Sequence, residues 1–176
     1  MKKRILYAWS LGIGTTWVGG TLNRELFEKA AATKDDEYMM IVTPLGYPSK
    51  TQSKIDSKLR ESIHGDERLP VSELFFEGDF SNPISATNDI FEAVRWAPSA
   101  ANRQPWRIVK DGNDYHFYVK HAEGYSSGVE WDVQKIDLGI AICHFSSVCE
   151  GDLSINDPGI EADDYTEYVA TISLII

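Results

Sequence analysis

The chain has 176 residues, with 43% hydrophobic and 25% charged residues and a formal net charge of −10. This is the profile of a folded domain with its own core, and the acidic balance argues against nucleic acid or an anionic membrane surface as a partner. No apolar run approaches the roughly 20 residues of a membrane span, and no secretory signal follows Met1. We therefore expect a cytoplasmic protein.

The first predicted element is a largely buried helix over residues 4–11 that ends at Gly12-Ile13-Gly14. A second helix is predicted over residues 23–32, with Asn23 as its N-cap. The glycines do not form a dinucleotide-binding fingerprint, because no strand precedes them and Trp17 stands where the third glycine should be.

The middle of the chain contains one apolar run and one basic stretch. Residues 38–45 are nearly all apolar, which predicts a strand buried on both faces. Residues 49–68 hold the densest positive charge, which indicates either a solvated loop or an anion-binding segment. A short apolar segment over 73–76 and a linker-like stretch over 77–88 follow.

Residues 93–109 read A-V-R-W-A-P-S-A-A-N-R-Q-P-W-R-I-V. A helix is predicted to end before Pro98, because proline removes a helical hydrogen bond and clashes with the preceding turn. Residues 99–104 are small and polar, so a flat ligand could approach their backbone. By itself this pattern favours a plain corner between a helix and a strand at 107–109. The helix's apolar positions are Phe91, Val94 and Trp96.

The C-terminal part predicts a hairpin, a helix and a closing strand. The hairpin strands are 107–110 and 115–120, joined by a turn over 111–114, and their alternation suggests one packed and one wetter face. The helix covers 132–148 and the last strand 168–176. Candidate buried positions of the helix are Val133, Ile136, Ile140, Cys143 and Phe145.

No metal site is predicted. Cys143 and Cys149 lie six positions apart, which suits neither a disulfide framework nor a zinc site, and we expect buried, unreactive thiols. The 4 histidines share no spacing, and the acidic segment 157–167 lacks the ligand pattern of a calcium loop.

The run A-P-S-A-A-N-R-Q-P-W-R over 97–107 resembles the flavin loop of the nitroreductase family, which comprises FMN-dependent NAD(P)H oxidoreductases of mixed α/β fold. In that family two copies of the fold pack together and each flavin lies between them. The resemblance implies that Trp106 lies in the core and Gln104 is a weaker flavin contact. It implies stronger flavin contacts at Pro98, Ser99, Ala100 and Asn102.

Two further segments resemble the same family. L-G-I-G-T-T-W over 11–17, followed by two glycines, is similar to the family's helix end and turn, where a backbone N–H points at the flavin N5. Glycine suits such a close approach because it has no Cβ, although the local pattern alone favours a simple tight turn between two helices. The residues implied near FMN are Thr16, Trp17, Gly19 and Gly20.

L-G-Y-P over 45–48 is similar to a family strand that precedes a cation for the FMN phosphate. A guanidinium fork suits that dianion, and Arg68 is the best match, with Arg60 in reserve. Q-K-I-D-L-G-I-A over 134–141 resembles the family's core interface helix, where Lys135 and Asp137 would be structural polar groups.

The order of these segments implies an α+β fold (an α/β sandwich), with a mixed sheet, flanking helices and a central core helix. We expect one and a half tandem repeats that imitate the family dimer: residues 1–78 as the C-terminal half of a first repeat and 79–176 as the second. The first half of repeat one, with its arginine-rich helix, would lie before Met1. Residues 144–147 replace the second glycine turn, so at most one flavin site is expected, between Gly19-Gly20 and the loop over 98–102.

The function implied by the resemblance is ping-pong hydride transfer from NAD(P)H through FMN to a nitroaromatic, quinone or similar small acceptor. No side chain is assigned as a general acid or base, since the flavin carries the chemistry. The alternative is a flavin-binding or flavin-free module without turnover. The expected partner, besides the acceptor, is the other repeat of a full-length chain or a second copy in a homodimer.

Overall fold

A computed structural model describes residues 2–19, 22–51, 53–125 and 131–175. The chain forms two compact units, Met1–Ser53 and Lys54–Ile176. The predicted repeat boundary at 78/79 falls inside the second unit, and the repeat assignment stays a prediction. No helix within the described ranges is long and apolar enough to cross a membrane.

The first unit begins with helix α1 (Lys2–Ser10), which ends as predicted at a glycine. Gly12 has a φ of 75°, and the N–H of Ile13 donates to the Ala8 carbonyl at 3.0 Å, which together form a Schellman-type end. The expectation that this helix is largely buried is wrong. Ile5 and Ala8 are buried, whereas Trp9 is 75% exposed, because so short a helix buries only one narrow face.

The second helix, α2 (Arg24–Ala31), confirms its predicted N-cap. The Asn23 Oδ1 accepts a hydrogen bond from the Leu26 N–H at 3.3 Å, which satisfies one of the free donors at the helix start.

The predicted buried strand over 38–45 is wrong. Only Leu45–Gly46 (β2) is a strand, paired antiparallel with Gly14–Thr15 (β1), and one further bridge joins Val18 to Val42. Tyr38 and Leu45 are 62% and 64% exposed. The carbonyls of residues 39 and 40 accept hydrogen bonds from the Arg24 guanidinium instead of a neighbouring strand, so no ladder extends along the run.

The second unit is built on a five-stranded mixed sheet with the order β3-β4-β5-β7-β6. β3 pairs in parallel with β4, and the other neighbours are antiparallel. The strands are Phe75–Glu77 (β3), Trp106–Asp111 (β4), Asp114–Lys120 (β5), Gly151–Ser154 (β6) and Thr166–Leu174 (β7). The closing strand and the hairpin are confirmed, and β6 was not predicted.

The β4–β5 hairpin turns at Gly112, whose φ of 56° is typical of a tight two-residue turn. Its predicted wet face is wrong, because all residues from Tyr115 to Val119 are buried. Both sides of the hairpin are covered. Phe117 packs against Phe145 at 5.3 Å, and Tyr118 packs against Phe80 at 5.0 Å, measured between ring centroids.

Among the residues that the structure describes, the second unit has four α-helices: Lys54–Ser62 (α3), Val71–Leu74 (α4), Asp89–Arg95 (α5) and Gln134–Phe145 (α6). α3 occupies part of the basic stretch, and its residues are all exposed. α5 ends before Pro98 as predicted, although Trp96 is 53% exposed and does not join the core.

The core lies where α5 and α6 cover one face of the sheet. Phe75 stacks on Phe91 with ring centroids 4.2 Å apart, and Trp106 is fully buried as predicted. On α6, Ile140 and Phe145 are buried as expected. The remaining candidates of that helix are only half-buried: Val133, Ile136 and Cys143.

The two cysteines are free thiols, and both are half-buried where full burial was predicted. Burial raises the pKa of the Cys149 thiol, which disfavours the reactive thiolate at neutral pH.

Candidate functional site

Residues 98–104, called here the candidate loop, join α5 to β4 and contain a short 3₁₀ turn over Ala100–Asn102. Three of these residues have left-handed backbone: Ala101 at φ 48°, Asn102 at 53° and Gln104 at 49°. Left-handed backbone is uncommon outside glycine and is kept where neighbouring groups hold it. The loop is therefore a strained segment that depends on its anchors.

Two side-chain acceptors anchor the loop backbone. The Ser99 Oγ accepts from the Gln104 N–H at 2.8 Å, which closes the loop on itself. The Asp137 Oδ1, on α6, accepts from the Ala100 N–H at 3.0 Å. The loop is thus tied both to itself and to the core helix.

Asp137 is a buried carboxyl group, with 5% of its surface exposed. Burial raises its pKa to about 7, although the hydrogen bond from Ala100 opposes the shift. Its Oδ2 atom is buried and has no hydrogen-bond partner among the described residues. Asp137 therefore anchors the loop at the cost of an unpaired polar atom.

Asn102 fastens the loop to residues 64–68. Its Nδ2 donates to the carbonyls of His64 at 2.6 Å and Glu67 at 3.0 Å, and its Oδ1 accepts from Arg68 Nη1 at 3.2 Å. These bonds occupy both ends of the amide, so its side chain faces that segment. A cofactor contact by Asn102 stays a prediction, and its backbone is the part that such a contact would use.

Gln104 is 4% exposed and serves as a second fastening. Its Oε1 accepts from the Leu69 N–H at 2.9 Å. Because of its burial and this bond, the Gln104 side chain holds the candidate loop against the segment at Leu69. A direct contact between this side chain and a ligand stays a prediction.

Arg68 brings a positive charge to the candidate loop. Its Nη1 donates to the carbonyls of Gly65 at 3.1 Å and Glu67 at 2.7 Å, and its guanidinium lies 5.0 Å from the centroid of the Trp96 ring. Burial lowers its pKa; Asp66 opposes that shift, and the nearby Arg95 and Arg60 add to it.

Arg68 differs from these neighbouring arginines in its pairing. Arg60 forms an ion pair with Asp66, and Arg95 forms one with Glu92 at 2.8 Å. Within the described ranges Arg68 has no ion pair, and its buried Nε has no hydrogen-bond partner. Arg68 therefore brings to the loop a positive charge that no ion pair among the described residues occupies, and Asp66 acts on it without forming one.

The predicted residues of the first unit lie around its short β1–β2 ladder. Thr16 is exposed, and Trp17 is half-buried with no partner for its Nε1 within the described part of the chain. A Cβ placed on Gly19 would lie 3.7 Å from Ile41, an ordinary contact, so packing inside this unit does not demand glycine there. Gly20 lies outside the described residues.

The structure thus brings together the predicted residues of the second unit: Arg68, Pro98, Ser99, Ala100, Asn102 and Gln104. The loop-anchoring role of Asp137 was not predicted. The signal for it was a carboxylate among apolar positions of α6, next to the buried Leu138 and near Ile140.

A model of the family described as "Putative TM nitroreductase" matches residues 1–148. The chain belongs to this family. A search of curated proteins finds no match.

Among solved structures, this nitroreductase-family chain is similar to a "putative nitroreductase" from Thermotoga maritima, with a TM-score of 0.56 and 19% sequence identity. The match covers 98% of this chain and 61% of that protein. At this identity the likeness concerns the fold, and it confirms the predicted nitroreductase-like α+β architecture. The chain spans about 61% of the length of that relative.

Proposed function

We propose that this chain is part of an FMN-dependent NAD(P)H oxidoreductase of nitroreductase type. The observation that carries the proposal is the guanidinium of Arg68, which forms no ion pair within the described ranges and lies next to a strained loop of small residues. The chain around it has a formal net charge of −10. Family membership supplies the reaction class, and the loop supplies a place for the cofactor.

The residues of the second unit fit the phosphate of FMN. A phosphate dianion needs a cation that is fixed in place and not already paired, and Arg68 meets both conditions. Its bonds to backbone carbonyls hold the guanidinium without cancelling its charge. The neighbouring Arg60 and Arg95 are each paired with a carboxylate, so Arg68 is the cation of these three that remains for the phosphate.

The candidate loop fits the flat ring system of the same cofactor. Ser99 and Ala100 have small side chains, and the anchors of the loop, Ser99 Oγ and Asp137, fix its backbone. A preformed backbone lowers the ordering cost of binding. The predicted cofactor contacts of the first unit, Thr16, Trp17, Gly19 and Gly20, stay predictions.

When bound, FMN supplies the hydride chemistry, from NAD(P)H to a nitroaromatic, quinone or similar small acceptor, in ping-pong order. The residues of the chain would bind and orient FMN, and none of them is assigned to proton transfer. Association of two nitroreductase-like repeats, within a longer chain or between two copies, also stays a proposal.

One observation favours the alternative of a module without turnover. The side chains of Asn102 and Gln104 are fully or largely satisfied by the protein itself, so the loop keeps its anchors without a ligand. In that case FMN binding would be weak or absent.

Titrating FMN into the purified chain, followed by the quenching of flavin fluorescence, tests the proposal. Arg68→Gln should weaken FMN binding at least about tenfold, the effect of losing one charge-assisted contact. Arg4→Gln is the matched control, because Arg4 is exposed, lies outside the candidate loop and loses the same charge. No binding by the unaltered chain, or equal loss in both variants, would contradict the proposal.

A further inference from the structure

The sheet of the second unit has a cavity on the face opposite α5 and α6. Phe75 stacks on Phe91 of α5, so the next residue, Phe76, points to the other face of the sheet. Ile108 pairs with Phe75, which places its neighbour Arg107 on that other face as well. The cavity there has a volume of about 500 Å³. Its lining includes Phe76, Phe80, Arg107, Lys120, Glu161 and Asp163.

Arg107 supplies a half-buried positive charge to this cavity. Its Nη1 donates to the carbonyls of Gln104 at 3.0 Å and Trp106 at 2.7 Å, which fix the guanidinium. Among the described residues no carboxylate forms an ion pair with it. Glu73 and Asp163 act on it only from a distance, and burial lowers its pKa. A fixed, partly desolvated guanidinium without a counter-ion attracts an anion.

The other charges of the lining restrict the charge of that anion. Lys120 is already paired with Asp163 at 2.9 Å, and the Asp163 carboxylate also accepts from the Thr166 hydroxyl at 2.6 Å. Glu161 is exposed and leaves a negative charge in the lining. One anionic group on Arg107 is favourable there, whereas a dianion would meet repulsion from Glu161.

The apolar part of the lining is aromatic. The rings of Phe76 and Phe80 meet edge to face at 5.2 Å, and Phe80 meets Tyr118 in the same manner at 5.0 Å. Both phenylalanines are half-buried, so part of each ring is free to contact a ligand. Such rings favour a flat aromatic body in stacked or edge-to-face contact.

We propose that this cavity binds a small aromatic monocarboxylate, with its carboxylate on Arg107 and its ring against Phe76 and Phe80. The planar guanidinium matches the two oxygens of a carboxylate, and the volume lies within the range of small-molecule sites. The proposal does not depend on FMN binding. Arg107 nevertheless donates to the Gln104 carbonyl, so it links the cavity to the end of the candidate loop.

Isothermal titration of the unaltered chain with 2-naphthoate tests the proposal directly. We expect a Kd below about 1 mM, and binding at least about tenfold weaker for the neutral 2-naphthamide, which keeps the ring and loses the charge. Inorganic phosphate should bind more weakly than 2-naphthoate. Failure of 2-naphthoate to bind, or equal affinity for the acid and the amide, would overturn the assignment.

Variants then locate the site. Arg107→Gln should weaken 2-naphthoate binding at least about tenfold, whereas Arg4→Gln, at an exposed arginine outside the lining, should leave it unchanged. Phe80→Ala removes one aromatic wall and should weaken binding without altering the charge. If Arg107→Gln lowers the thermal stability, the Phe80→Ala result and the acid–amide comparison still decide. Unchanged affinity in Phe80→Ala would place the ligand elsewhere.

Discussion

The β4–β5 hairpin and the candidate loop follow each other in the chain, and different forces hold them. The hairpin is fixed by burial, with Phe117 and Tyr118 packed on opposite faces of the sheet. The candidate loop is fixed by polar anchors, with Asp137 and Asn102 holding a left-handed backbone. Apolar packing is insensitive to pH, whereas an anchor made by a carboxyl group changes with protonation.

One buried titratable group lies in the hairpin (His116) and another lies beside the loop on α6 (Asp137), and their pKa values shift in opposite directions. In the sheet, His116 is 6% exposed and its Nδ1 lies 2.8 Å from the Thr171 hydroxyl. Burial lowers the pKa of His116, and the nearby Asp114, Asp111 and Asp157 oppose the shift. Burial raises the pKa of Asp137 at the loop. The two regions should therefore lose stability at opposite ends of the pH range.

The largest expected effect is the pH dependence that Asp137 introduces. Its pKa rises from 3.8 to about 7, so the folded state holds a proton that the unfolded chain releases. The free energy of unfolding should fall as pH rises from 3.8 to about 7, with a slope of at most roughly 1.4 kcal/mol per pH unit. Urea unfolding at a series of pH values measures this slope.

Asp137→Asn supplies the control for that measurement. Asparagine keeps an oxygen for the Ala100 N–H and cannot ionise, so the slope above pH 3.8 should shrink. His116→Gln should leave this slope in place and instead reduce the loss of stability below pH 6.5, where the unfolded chain takes up a proton that buried His116 resists. An unchanged slope in Asp137→Asn would show that Asp137 is not the responsible group.

Sequence reasoning succeeded where a local pattern decides the structure. The stop at Gly12, the N-cap at Asn23 and the turn at Gly112 each depend on the conformation of a few adjacent residues. The strand prediction over 38–45 failed because the burial of a strand depends on which strands pair with it. Here the Arg24 guanidinium donates to the backbone carbonyls of residues 39 and 40, which a neighbouring strand would otherwise use.

The candidate site shows the same limit. The motif over 97–107 identified the loop, but not the groups that hold it in place. Asp137 and Ala100 are 37 positions apart, and Asn102 reaches His64 across 38 positions. Contacts of this range follow from the packing of α6 and of the 64–68 segment, and no local pattern contains them.

The next effect in size is the loss of the Asn102 anchor. Asn102→Ala removes the bonds from this side chain to His64, Glu67 and Arg68. The two carbonyls keep other donors, the Glu67 N–H and Arg68 Nη1, so the expected loss comes from the anchoring bonds themselves. The free energy of unfolding should fall by about 1–3 kcal/mol. Chemical denaturation measures it, and Asn113→Ala, at the exposed hairpin turn, is the comparison outside the loop. An unchanged free energy of unfolding would mean that the Asn102 side chain does not stabilise the loop. A contact between Asn102 and a ligand would then be the better explanation.

The smallest effect concerns backbone strain within the loop, and two neighbouring alanines isolate it. Ala101 has a φ of 48°, whereas Ala100 is not among the residues with positive φ. A left-handed alanine costs roughly 1–2 kcal/mol that glycine avoids, and the added freedom of glycine in the unfolded chain costs about 0.4–1 kcal/mol. Ala101→Gly should therefore leave stability unchanged or raise it by up to about 1.6 kcal/mol. Ala100→Gly should lower it by about 0.4–1 kcal/mol. Thermal unfolding of both variants under one condition measures the difference between their stabilities. The hairpin is the same in both variants and does not affect that difference. If both substitutions destabilised the chain equally, Ala101 would not hold the left-handed backbone in solution, and the loop would be less constrained than its anchors imply.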